Sequence, residues 1–176
     1  MINKLSIGIA SYMKRSEPDD TPSIEVMTYA LYIVLHATIT VLLILSTSLV
    51  LGTFFATGIS LFYFMALRFF GGGYHLHSSK LCTVLSVLLI CSAPFIQVSQ
   101  DWIQYINLIN ILLVLIYAPR NIKGYAKIPE KYFIYMKLIA LILVACNFYW
   151  LNASLLMVSL FHSILLIPKQ EGGEKK

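Results

Sequence analysis

Residues 27–70 read MTYALYIVLHATITVLLILSTSLVLGTFFATGISLFYFMALRFF, and Arg68 is the one acidic or basic side chain in them apart from the titratable His36. A helix needs about 20 apolar residues, with a range of roughly 17–25, to cross the hydrocarbon of a bilayer. Met27 to Val50 and Gly52 to Phe70 both meet that length and are separated by almost no polar sequence, so they read as two spans joined by a tight turn near Leu51 to Thr53. The pattern repeats downstream. Leu81 to Val98 and Trp102 to Ala118 are joined by the short turn Ser99, Gln100, Asp101, and Tyr132 to Ile167 is too long for one span and divides near Leu151 to Ala153. The expected fold class is therefore all-α: a polytopic membrane protein of about six transmembrane helices. The final two are short, and one long tilted helix with a re-entrant piece is the alternative there.

Composition agrees. Of 176 residues, 59% are hydrophobic and 12% charged, against about 45–50% apolar and about 25% charged in soluble domains. Such a chain calls for a lipid solvent and excludes an ordinary soluble domain; nucleic acid is not an expected partner. No linker or repeat divides the sequence, so residues 27–168 read as one transmembrane domain between an N-terminal segment, 1–26, and a polar tail, 169–176. Met1 to Arg15 mixes Lys4, Lys14 and Arg15 with scattered apolar residues and lacks the short apolar core of a secretory signal. Ile2, Leu5, Ile9, Tyr12 and Met13 share one helical face, which fits a helix lying in the membrane interface; a frayed terminus is the competing reading.

Orientation follows from Lys and Arg, which are retained on the cytoplasmic side of short loops. Lys4, Lys14 and Arg15 precede the first span; Arg68 and Lys80 lie between the second and third; Arg120, Lys123, Lys127 and Lys131 lie between the fourth and fifth; Lys169, Lys175 and Lys176 follow the last. Lys137 is close enough to the start of the fifth to snorkel back. Every basic residue falls on one side, and the opposite turns carry only Asp101, so both termini are expected in the cytoplasm.

The stretch between the second and third spans, Arg68-Phe-Phe-Gly-Gly-Gly-Tyr-His75-Leu-His77-Ser-Ser-Lys-Leu-Cys82, is the one that can carry chemistry. Three successive glycines lift the steric limits on the backbone and stop a helix. Ser78 or Ser79 can then cap a new helix with Cys82 in its first turn, where free amides and the helix dipole favour an anion. A thiolate is the reactive form of cysteine, and a nucleophilic cysteine needs a base within hydrogen-bond reach. Seven residues separate His75 from Cys82, two helical turns or about 10 Å on a continuous helix, so the glycine turn must fold His75 back; spacing alone does not choose between His75 and His77. The bland reading of these residues is an interfacial histidine and a small buried thiol. Cys91 and Cys146 fall inside apolar runs and read as buried hydrophobes; no disulfide framework is expected. A zinc site is disfavoured because His75, His77 and Cys82 lack a fourth ligand, and no cofactor is expected. His36 and His162 lie within spans and read as polar helix-packing groups, although ionisable residues at that depth are functional candidates.

The string from Arg68 to Cys82, with Gly72-Gly73-Tyr74-His75 and the cysteine seven residues after that histidine, resembles the signature of the AgrB family of bacterial membrane endopeptidases. Tyr117-Ala118-Pro119, followed by a basic loop, is similar to the family's Tyr-Ala-Pro segment. The resemblance implies a cysteine peptidase of quorum sensing in the cell membrane, its active site on the cytoplasmic side, with Cys82 as nucleophile and His75 as base. It also implies an AgrD-like precursor peptide as partner, with an amphipathic leader, a central segment bearing a cysteine or serine, and an acidic tail. Arg68, Arg120, Lys123 and Lys127 are the corresponding candidates for substrate binding. A homodimer is left open, as is any third catalytic residue. Two other classes compete: a small transporter, which calls for polar residues lining the spans, and a non-catalytic scaffold in which Gly52 and Gly58 pack helices.

Overall fold

The structure, a computed structural model, describes residues 2–74, 78–120 and 129–167. Seven α-helices occupy most of them: α1 (Ile2–Ser16), α2 (Ile24–Val50), α3 (Phe54–Gly71), α4 (Ser79–Ser92), α5 (Gln100–Tyr117), α6 (Phe133–Trp150) and α7 (Ala153–Leu166). Short 3-10 turns extend α4 (Ala93–Phe95) and lead into α6 (Glu130–Tyr132). The described residues contain no strand, only an isolated parallel bridge between Gly72 and Arg120.

Helices α2 to α7 correspond one for one to the six apolar runs. Among the described residues, three segments are long and apolar enough to cross a membrane: Ile24–Val50, Phe54–Gly71 and Glu130–Trp150. Their outward residues suit lipid and not water, since Phe55 is 84% and Phe62 76% exposed. This is a membrane protein. The segments Ser79–Phe95 and Ala153–Leu166 are apolar but shorter. The third run was expected to reach Val98, yet its helix ends at Phe95. Pro94 stands in the 3-10 turn and has no amide proton to continue a ladder, so Ile96 is extended and Val98, apolar as it is, lies outside any helix.

The three inter-helix breaks near residues 51–53, 99–101 and 151–153 have local causes. Gly52 takes φ 69° between α2 and α3, a region open to glycine at no steric cost. Ser99 precedes α5 in extended conformation. At the third break Leu151 is left-handed at φ 47°, and Asn147 holds the corner with both ends of its amide: Asn152 N–H donates to Asn147 Oδ1 at 3.2 Å and Asn147 Nδ2 donates to Asn152 O at 3.3 Å. Asn152 Oδ1 then caps α7 by accepting from Leu155 N–H at 3.1 Å.

Packing divides the bundle into a core and a flank. Tyr63 and Leu67 of α3, Val114 of α5, Ala140 and Val144 of α6, and Leu155 and Leu166 of α7 form the larger buried cluster. Polar groups stitch it: Tyr63 Oη donates to Leu143 O at 3.1 Å, Asn107 Nδ2 to Val144 O at 3.2 Å, and Asn110 Nδ2 to Ser159 Oγ at 3.0 Å. Helices α2 and α4 run alongside in the same direction, meeting α3 through Ile44, Leu61, Ile90 and Cys91. Helix α1 lies against α2 by its small buried residues Ser6 and Ala10, leaving Leu5 and Tyr12 exposed. The amphipathic segment does form a helix rather than a frayed end.

Candidate active site

Helix α3 ends on three glycines, each required for a different reason. Gly71 is buried against His162 of α7: a Cβ there would stand 2.6 Å from the imidazole Cε1 and 2.9 Å from Nε2. Gly72 turns the chain at φ 72°, ψ −135°, and Gly73 follows at φ 117°, conformations that L side chains rarely adopt. A Cβ on Gly73 would also lie 2.9 Å from Arg68 Nη1.

This turn is tied down from two sides. Arg120 N–H donates to Gly71 O at 3.1 Å, and Gly73 N–H donates to Arg120 O at 2.9 Å. From α7, Leu165 O accepts Tyr74 N–H at 2.9 Å, and His162 Nε2 donates to Gly72 O at 3.2 Å. Arg120, expected as a substrate cation, therefore contributes its main chain to the geometry of the turn.

Eight residues beyond Tyr74, Cys82 sits one turn into α4. Ser78 caps the helix, accepting Leu81 N–H on its Oγ at 3.4 Å, and Cys82 N–H closes the first helical bond to Ser78 O at 3.0 Å. Cys82 is half-buried and unpaired, as is Cys146; Cys91 is buried, with its Sγ directed to Ile44 O at 3.7 Å. A polar seam fastens this end of α4 to α2. Tyr32 Oη and Ser79 Oγ are 2.7 Å apart, His36 Nε2 is 3.0 Å from both Ser79 O and Thr83 Oγ1, and Thr40 Oγ1 is 3.1 Å from Thr83 Oγ1.

Between α2, α3, α4 and α7 lies a cavity of about 200 Å³ with Cys82, Arg68, Tyr74 and His36 in its wall. The rest of its lining is mostly apolar, including Leu61, Phe64, Leu85 and Phe161. Arg68 reaches into this wall from the last turn of α3, its Nη2 donating to Tyr74 O at 3.0 Å. Its Nη1 is buried and has no hydrogen-bond partner among the described residues. Of the residues picked out from sequence, Cys82 and Arg68 thus meet at one cavity. His75, His77, Lys123 and Lys127 lie outside the described residues. Asn107 and Asn110 are fully buried and bonded through Nδ2 to α6 and α7. Sequence reasoning missed that His36 shares the cavity with Cys82; its place as an ionisable group within a span was the available signal.

The family model for accessory gene regulator B matches residues 6–171. An AgrB-like protein of Halalkalibacterium halodurans is 33% identical over 121 residues, covering 68% of this chain and 61% of that relative, so the chain spans less than two thirds of its length. No solved structure matches. Family model and relative agree, and the chain belongs to the accessory gene regulator B family.

Proposed function

We propose that this protein is a membrane-embedded cysteine endopeptidase of an agr quorum-sensing system, which trims and cyclises an AgrD-like propeptide. The observation that carries the reading is the position of Cys82: first turn of a capped helix, rim of a mostly apolar cavity, beside a buried guanidinium, in a chain of this family. Cys82 Sγ attacks the carbonyl joining the central peptide segment to its acidic tail while His75 takes the thiol proton. The C–N bond breaks, His75 returns that proton to the departing amine, and the peptide remains on Cys82 as a thioester. The peptide's own thiol or hydroxyl then attacks the thioester, a thiolactone or lactone ring closes, and Cys82 regains its proton. A cavity with few polar groups keeps water from competing with ring closure.

In this reading α2 to α7 all cross the bilayer, both termini and the site face the cytoplasm, and the basic residues Arg120, Lys123 and Lys127 attract the acidic tail. Transport is the weaker reading, because the mid-helix asparagines Asn107 and Asn110 are fully buried and bonded to neighbouring helices. The test is co-expression of the precursor with Cys82→Ala, Cys91→Ala and Cys146→Ala variants. Cleavage should vanish with the first alone; cleavage by Cys82→Ala sinks the proposal.

A further inference from the structure

We infer that a second cavity of the bundle, between α3, the end of α4 and α7, takes up the end of a membrane-lipid acyl chain, and that the stacked rings of Phe64 and Phe161 make this chain the outer backing of the Cys82 cavity. The space measures about 160 Å³, and apolar cavities of about 150 Å³ in other proteins admit benzene, so the last few carbons of one chain fit. Leu89, Ile96, Met157 and Ile164 line it together with the two phenylalanines. Ser92 is the one polar side chain in this lining, and its Oγ already donates to Leu89 O at 3.2 Å. A peptide segment lodged there would bury N–H and C=O groups without partners, which is costly. An acyl chain has no such groups.

The bilayer itself supplies the occupant. Phe64 stands near the middle of α3, a helix long and apolar enough to cross a membrane, so the cavity lies at the depth of the lipid chains. It opens outward. Ile164 is 53% and Ile96 38% exposed, and at this rim the 3-10 turn at Pro94 ends α4, leaving Ile96 in extended chain in place of a further helical turn. An empty space at that depth forfeits dispersion contacts along its walls, and the chains of neighbouring lipids restore them.

The consequence reaches Cys82. Phe64, Ile90 and Phe161 line both this space and the cavity that has Cys82 in its wall, and the rings of Phe64 and Phe161 stack with centroids 5.9 Å apart and 24° between their planes. The pair is a shared partition, with lipid on one side and the thiol's cavity on the other. Lipid binding here does not depend on Cys82 being the nucleophile.

Full-length protein in phosphatidylcholine nanodiscs, doped with a phosphatidylcholine that carries a diazirine at the end of one acyl chain, tests both parts. Illumination releases nitrogen, the carbene inserts into a neighbouring bond, and peptide mass spectrometry locates the label. Met157 and Phe161, half-buried as they are, should be labelled alongside Phe62, which is 76% exposed. Filling the space, with Ser92→Phe from α4 or Leu160→Trp from α7, should cut the label on Met157 and Phe161 about fivefold or more, since the space admits one such group, while label on Phe62 stays the same. Removing a ring of the partition, with Phe64→Ala or Phe161→Ala, should carry new label to Leu85, which lines the Cys82 cavity and not the lipid site. Unlabelled Met157 and Phe161 beside a labelled Phe62 would mean a space that is empty or held by a peptide, and overturns the lipid site, as does label that neither filling reduces. Leu85 unchanged in both ring variants overturns the partition.

Discussion

Gly71 and His162 make the most exacting pair in the molecule, a backbone in van der Waals contact with a buried ring. A methyl group at 71 has no space unless the ring or the turn moves, and moving the turn disturbs the hydrogen bonds of Gly73 and Tyr74 to Arg120 and Leu165. Gly71→Ala is therefore expected to lower the thermal midpoint in detergent and to cut precursor processing at least tenfold. His162→Ala removes the obstruction and leaves Gly72 O without its side-chain donor, at a cost of about 1–3 kcal/mol. The double variant should be more stable than the sum of the two single changes; strict additivity would show that the contact carries no weight. Further along the same turn, His75→Ala is expected to abolish cleavage and His77→Ala to be tolerated or only partly impaired. The reverse outcome moves the base to His77.

At the scale of elements, the seam between α2 and α4 decides how firmly Cys82 is held. Tyr32, His36 and Thr40 meet Ser79 and Thr83 at successive turns, bracketing the cysteine, and one of these can be lost without unzipping the rest. His36→Ala is expected to slow Cys82 alkylation and precursor cleavage severalfold while leaving insertion and thermal stability close to wild type; unchanged rates would make the seam mere packing. Much of this level was readable in the sequence. Breaks at Gly52, Ser99 and Leu151 follow from local backbone chemistry, and the cap at Ser78 with Cys82 one turn later follows from residue types at fixed offsets. What could not be read was partnership. Nothing near His162 in sequence announces Gly71, more than ninety positions away, and nothing in its charge signals that Arg120 works through its main chain. Hydropathy likewise carried the third span to Val98 by counting side chains, whereas Pro94 acts through a missing backbone donor.

For the whole molecule the one-sided distribution of Lys and Arg is the strongest constraint on orientation. Cysteines introduced near Asp101 should react with an impermeant thiol reagent outside intact cells, and cysteines near Lys123 should not; labelling at both sites contradicts six spans with cytoplasmic termini. In the proposed orientation the cationic loop faces the cytoplasm and would act as a field rather than as single contacts, since exposed charges are screened over about 8–10 Å at physiological ionic strength. Neutralising Arg120, Lys123, Lys127 and Lys131 together should weaken processing more than any single change does, and unaffected processing would leave them an orienting role alone. All of this converges on one sulfur atom. The most direct measurement is intact-protein mass spectrometry of the wild-type chain incubated with a precursor whose ring-closing cysteine or serine is replaced by alanine, which removes the second nucleophile. A mass increase equal to the peptide without its tail, released by hydroxylamine and absent in Cys82→Ala, is the expected result. Tail removal by the wild-type chain with no such adduct at any time point would contradict the thioester on Cys82.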